Sequence, residues 1–198
     1  MAEDFDDARR ENEERRNNYT HQGHVDLLFI AEAPPDAHRF FYFDDVEEED
    51  HQFVHDNLFV YTVKALFIDA ETLPENTIRH EKRQYLGRLM DRGFLELDAL
   101  LDPVEEGIPR DRLIRNIRNG FDNLIDRIVE YDGERKRGII DRNTRIVLIK
   151  KTVFQAIGPD LWFERGFSIL NDIGIDFPSN GWQLKFLEAI GKLPIEKL

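Results

Sequence analysis

A carboxylate that follows an apolar run and precedes two prolines is well placed to meet a ligand. Glu32 has this setting, within Ala31-Glu32-Ala33-Pro34-Pro35 and directly after the apolar residues 25–30. If that run is a strand, the rigid turn delivers Glu32, Ala33 and Pro34 at the carboxyl edge of a sheet, where open α/β sheets bind ligands. A carboxylate there can position water or stabilise developing positive charge. A second loop, Phe177-Pro178-Ser179-Asn180-Gly181, opens a helical stretch near the other end of the chain. Backbone N–H groups at such a start suit a phosphate or a carbonyl oxygen. Together the two loops suggest one cleft built from both ends of the chain.

Other residues join this set with weaker signals. Asp98 stands near the end of a second strand pattern and can only accept hydrogen bonds when ionised. Phe40, Phe41 and Tyr42 form an aromatic cluster that either stacks on a flat ligand or packs inward. Ser179 and Asn180 either hold an anion or cap the helix that follows. Trp182 begins that helix, as a wedge or as a packed ring. The histidines make no metal set: His51 and His55 lie one helical turn apart, but Gln52 stands where the zinc-binding helical motif needs glutamate. Neither a metal nor a cofactor is expected.

These residues need elements to hold them. Residues 25–30 read as a buried strand, 51–68 as an amphipathic helix through Val54, Leu58, Tyr61, Ala65 and Ile68, and 76–91 as a helix closed by Gly93. A strand over 94–100 stops at Asp102-Pro103, and Pro109 fits the first position of a long helix running to about Tyr131. A third strand covers 145–150 and a helix follows from about Thr152. A short fourth strand covers 173–176, and the last helix covers 181–192. Strands alternating with helices argue for a parallel sheet with helices on both faces.

Composition sets the frame. At 198 residues with 41% hydrophobic content, the chain supports a sizeable core, and no apolar run approaches the ~18 residues of a membrane span. There is no cysteine, hence no disulfide and no thiolate metal site. The N-terminus carries no secretory pattern, and a cytoplasmic monomer is expected. The net charge of −13 is concentrated at the start: residues 1–60 hold 17 acidic and 5 basic side chains. Residues 1–20 read as an acidic flexible arm or frayed helix, and 21–198 as one domain. Arginine outnumbers lysine 19 to 8, and with so acidic a surface this suggests a salt-adapted source.

At its two loops the chain resembles the uracil-DNA glycosylase superfamily. Several branches carry Gly-Glu-Ala-Pro-Gly after the first strand and His-Pro-Ser before the last helix, matched here by Ala31 to Pro35 and by Phe177-Pro178-Ser179. His38-Arg39-Phe40-Phe41-Tyr42 resembles the segment whose aromatic ring stacks on an extruded base. A little-characterised bacterial and archaeal subgroup is closer still, with a Glu-Ser-Pro-Pro…Arg-Tyr-Phe-Tyr first loop and a Phe-Pro-Ser-Ser-Gly-Gln-Gln…Phe ending. Phe177 to Phe186 matches that ending.

The resemblance implies a three-layer α/β/α sandwich with a four-stranded parallel sheet in the order 2-1-3-4. It implies a partner, DNA of one or two strands or a nucleotide-like ligand. It assigns Glu32 as the catalytic carboxylate, and Ala33, Pro34, Phe41, Asp98 and Phe177 as base contacts. Pro178, Ser179, Asn180 and Trp182 become DNA contacts. Phe177 replaces the family's histidine and cannot stabilise charge on a departing uracil, so the implied activity is on a base other than plain uracil. Two alternatives stand beside it: a non-catalytic nucleic-acid or nucleotide binder of the same fold, and a hydrolase of free nucleosides.

Overall fold

The strand β1 (Leu27–Ala31) is apolar at every position and buried at every position, the pattern of a strand covered on both faces of a parallel sheet. A computed structural model describes residues 2–19, 24–34, 41–43, 56–133 and 140–197. In it β1 pairs in parallel with β2 (Phe94–Asp98) on one side and β3 (Arg145–Leu148) on the other. A two-residue strand, β4 (Ser168–Ile169), extends the sheet beyond β3 and gives the order β2-β1-β3-β4. The parallel sheet and its 2-1-3-4 order agree with the sequence reading. Leu28 faces Leu95 and Ile146 in register, and the Phe29 and Phe94 rings meet edge to face at 5.1 Å.

The fourth strand is not where the sequence placed it. Residues 173–176 were expected to pair along β3; instead Ser168–Ile169 does so, and only Ile175 returns, in a single parallel bridge to Ile149. Between them a side chain takes over the ladder. Asn171, 2% exposed, accepts from the Leu148 N–H through Oδ1 at 2.9 Å. Its Nδ2 donates to the Leu148 and Ile173 carbonyls at 3.2 and 2.8 Å. An amide side chain offers the same donor and acceptor as a peptide, so it can stand in for a strand residue.

Two further joints pin the start of the sheet. Gly93, at φ +68°, turns the chain into β2, and its carbonyl accepts from the Asp26 and Leu27 amides. A Cβ there would come within 2.9 Å of the His24 carbonyl oxygen. Thr144, 1% exposed, donates its hydroxyl to the Val25 carbonyl at 2.7 Å, tying the entry of β3 to that of β1.

The long helix expected from Pro109 to Tyr131 is two helices, α5 (Arg110–Asn119) and α6 (Phe121–Gly133). Asn119-Gly120 interrupts it, both poor interior helix formers. Pro109 precedes α5 as its cap rather than opening it. After β3 come α7 (Lys151–Ala156) and α8 (Pro159–Glu164), parted by Gly158. Trp162, fully buried, meets Phe121 and Phe167 edge to face.

These strands and helices belong to a unit of residues 20–34 and 90–176; the remaining residues form a second, helical unit. The helical unit contains α1 (Ala2–Asn18), α2 (Asn57–Leu66), a 3-10 turn at Ile68–Ala70, α3 (Glu75–His80) and α9 (Gln183–Gly191). Between α3 and β2 runs α4 (Lys82–Asp91). The single helix expected over 76–91 is thus α3 and α4, broken at Glu81. α2 was expected to be amphipathic but is buried everywhere except Lys64, because Phe59, Val60, Val63 and Leu66 fill the intervening positions with apolar groups. Ile68, counted on its apolar face, is instead exposed.

A charged web ties α2 to its neighbours. Arg79, 8% exposed, donates to Asp56, Asn57 and Glu75, and Lys82 donates to the second oxygen of Asp56 at 3.1 Å. In α1, which lacks an apolar face, Asn12 is buried and accepts from the Tyr42 N–H at 3.3 Å.

Candidate functional site

Because β1, β2 and β3 run parallel, their carboxyl ends share one edge, and pairing continues past the strands. The Ala99 and Leu100 amides donate to the Ala31 and Glu32 carbonyls, and the Ile149 amide donates to Ile30. This fixes the Glu32 backbone at the edge. Its side chain is also fixed: it is 7% exposed and both carboxylate oxygens have donors. Lys150 Nζ donates to Oε1 at 2.5 Å, and the Thr152 hydroxyl donates to Oε2.

A buried carboxylate costs several kcal/mol unless it is paired and hydrogen-bonded, and here it is both. The lysine side of the pair stays open, with 38% of the Lys150 side chain exposed. The backbone at Lys150 is unusual: at φ +76° it is the one non-glycine residue with positive φ among those described. Its N–H donates to the Ile175 carbonyl at 2.8 Å. Strain of this kind costs about 1–3 kcal/mol, persists only where the surroundings over-determine it, and clusters at functional sites. The unit therefore holds a carboxylate pre-oriented at a sheet edge by two donors from the β3–α7 junction.

Of the residues singled out in the sequence, four lie in this unit. Glu32 and Asp98 are neighbours at the edge, since Asp98 is in register with Ala31. Asp98 is half-buried, and its carbonyl accepts from Arg127 Nη2 at 2.7 Å. Ala33 is half-buried and Pro34 buried, while Pro35 lies outside the described residues.

Phe41, Tyr42, Phe177, Pro178, Ser179, Asn180 and Trp182 lie in the helical unit. Phe41 is 7% exposed and packs edge-on against Phe59 of α2 and against Tyr42, so its ring sits in apolar packing rather than presenting a bare face. Phe40 lies outside the described residues. Phe177 is half-buried, Pro178 buried, and Ser179 and Asn180 exposed.

The amides of this second turn are largely engaged within it. Ser179 N–H donates to Phe177 O, Trp182 N–H to Ser179 O, and Gly181 N–H to the Gln183 side chain. An anion would have to displace some of these bonds, so the turn is not the open cradle the sequence suggested. Trp182 is 40% exposed, with the Lys185 ammonium 4.0 Å from its ring centre.

Lys150 and Thr152 were given no role in the sequence reading. The available signal was their position: they follow a strand that a parallel sheet brings to the same edge as Glu32. Among the described residues no group of His, Asp and Glu could hold a metal ion, and His21, His51 and His55 lie outside them. Among the described residues, too, no helix is long and apolar enough to cross a membrane. Compared with known proteins, the chain matches no family model, no curated protein and no solved structure.

Proposed function

We propose that the protein is a uracil-DNA glycosylase-like domain, a three-layer α/β/α sandwich, that binds an extruded base and excises a base other than plain uracil. The observation that carries this reading is the Glu32 carboxylate, held at the carboxyl edge of the central strand by Lys150 and Thr152. In hydrolysis of an N-glycosidic bond, the C1′–N bond breaks with its electron pair going to the base. Water then adds its oxygen to C1′, and a proton ends on the base. The sugar passes through an oxocarbenium-like state, which a fixed carboxylate stabilises.

The base preference follows from residue types. Phe177 cannot donate a hydrogen bond to a departing uracil, and losing such a donor costs about 3–4 kcal/mol, or roughly 100- to 1000-fold in rate. Asp98 accepts only, which favours a base with an exocyclic amino group. The reading extends to a cytoplasmic monomer without a cofactor, a setting that suits a chain with no cysteine.

The test is single-turnover release of base from oligonucleotides carrying a panel of damaged and modified bases, scored as abasic sites. Wild type should act on an amino-bearing base and only weakly on uracil, Glu32→Gln should abolish release, and Phe177→His should raise uracil excision. Robust uracil excision that survives Glu32→Gln would overturn the assignment. One observation favours a second reading: both Glu32 oxygens are already engaged, as in a structural ion pair. A non-catalytic nucleic-acid or nucleotide binder would bind oligonucleotides and release no base from any substrate in the panel.

A further inference from the structure

We infer that the exposed face of α5 is a nucleic-acid phosphate-binding surface, tracking the backbone through Arg112 and Arg115 and continuing to Arg118. The helix buries Leu113 and Ile117 and carries four arginines against one acid, Asp111, in a protein of net charge −13. Arg112, Arg115 and Arg118 repeat every three residues, so their heads form a row along the helix rather than a point. Arg118 is anchored by donating to the Ala156 carbonyl at 2.9 Å, and Arg110 by donating to Gln155 at 3.0 Å. Arg112 and Arg115 are exposed and have no partner among the described residues.

The charge around the row supports an anionic partner. α7, which packs against α5, contains Lys151 and no acid. In α6, Asp122 is paired with Arg165. Asp102 and Glu105 border Arg112 across a groove of about 230 Å³, which places the most positive stretch toward Arg115 and Arg118.

A row of guanidinium forks with Asn116 between Arg115 and Arg118 and Asn119 beyond them fits successive phosphates, which arginine grips through two oxygens at once. No large apolar residue of α5 is exposed, so the face lacks what lipid insertion needs. Placement adds a functional link: α7 begins beside Lys150 and carries Thr152, the two residues that hold Glu32. A strand lying along α5 is therefore joined through one helix to the Glu32 edge. The inference rests on the chemistry of α5, not on Glu32 catalysis; it adds a surface to the proposed DNA partner.

The experiment is fluorescence anisotropy of the full chain with labelled single- and double-stranded oligonucleotides across a salt series. Compared are wild type, Arg112→Gln/Arg115→Gln, Glu32→Gln, and the control Lys192→Gln/Lys197→Gln, which removes the same charge elsewhere. The arginine pair should weaken binding about tenfold or more at low salt. It should also reduce the salt slope by about 1.8 on duplex and about 1.4 on single strand, the loss of two phosphate contacts. The lysine control should keep the wild-type slope. Equal losses in the lysine control, an unchanged slope in the arginine variant, or no oligonucleotide binding by wild type at low salt would overturn the inference. So would binding to polyglutamate or to phosphatidylserine vesicles as tight as to DNA with the same arginine dependence. Loss of base release in Glu32→Gln with binding intact separates this surface from the catalytic reading.

Discussion

Replacing Lys150 by alanine leaves the Glu32 carboxylate, 7% exposed, with Thr152 as its remaining side-chain donor. Removing one partner of a fully buried ion pair costs about 3–5 kcal/mol, chiefly from the charge left behind. Here 38% of the Lys150 side chain is exposed, so water reaches the gap. The expected loss is about 2–3 kcal/mol, below the fully buried case. A second substitution isolates the backbone. Neither alanine nor glycine reaches Glu32, but at φ +76° and ψ 139° a Cβ is strained by about 1–3 kcal/mol and glycine is not. Lys150→Gly should therefore be about 1 kcal/mol more stable than Lys150→Ala, reversing the usual penalty for glycine. The double variant Glu32→Gln/Lys150→Ala, which removes the stranded charge, should recover part of the loss. Urea unfolding at neutral pH measures all four proteins. An alanine variant within about 0.5 kcal/mol of wild type, or a glycine variant less stable than alanine, would refute the reasoning.

The other predictions concern the supports of the fold. Burial, together with the hydrogen bond its hydroxyl donates to Glu75, pushes the Tyr61 phenol up to about 12. An unfolded tyrosine ionises near 10, so this contribution to stability is complete below pH ~10 and is lost as pH rises through about 12. Burial also raises the Tyr85 phenol, so absorbance titration should show a late-ionising tyrosine signal that shrinks by one residue in Tyr61→Phe. Burial alone would raise the Glu75 carboxyl, but hydrogen bonds from Tyr61 and Arg79 hold it below the usual range. Its contribution is present above the unfolded value and lost as pH falls through the folded one, so Glu75→Gln should flatten the acid limb of a pH–stability curve. Asn171→Leu leaves the Leu148 N–H and carbonyl without their side-chain partner and should cost about 3 kcal/mol, lowering Tm by roughly 6–12 °C. Gly93→Ala should cost about 1–2 kcal/mol in urea unfolding, since φ is +68° and a Cβ meets the His24 carbonyl.

The sequence by itself determined the first three strands of the sheet, though not the fourth. The apolar runs of β1 and β3 have almost no polar face to turn to water, so they had to be central, while β2, which alternates at Glu96 and Asp98, pairs on one side only; alternation with helices made the strands parallel. Parallel strands share a carboxyl edge, so placing Glu32 and Asp98 there needed only the strand ends. Helix breaks were less legible. Asn119-Gly120 and Glu81 interrupt patterns whose apolar spacing runs on unbroken, because periodicity records which face is buried and not whether the axis bends. α2 exceeds its amphipathic pattern for a related reason: the spacing of three and four is present, but so are apolar residues between.

What only the tertiary structure decided is what surrounds each polar group. The Asn171 side chain replaces a strand residue, which no local pattern could announce. The Lys150 and Thr152 donors reach Glu32 across more than a hundred residues of sequence, and the strained backbone that aims Lys150 exists because the Ile175 carbonyl and the Glu32 carboxylate both hold it. Local propensity is a property of neighbours in the chain. The pairing of a buried charge is a property of neighbours in space, and those are set only once the sheet has closed around them.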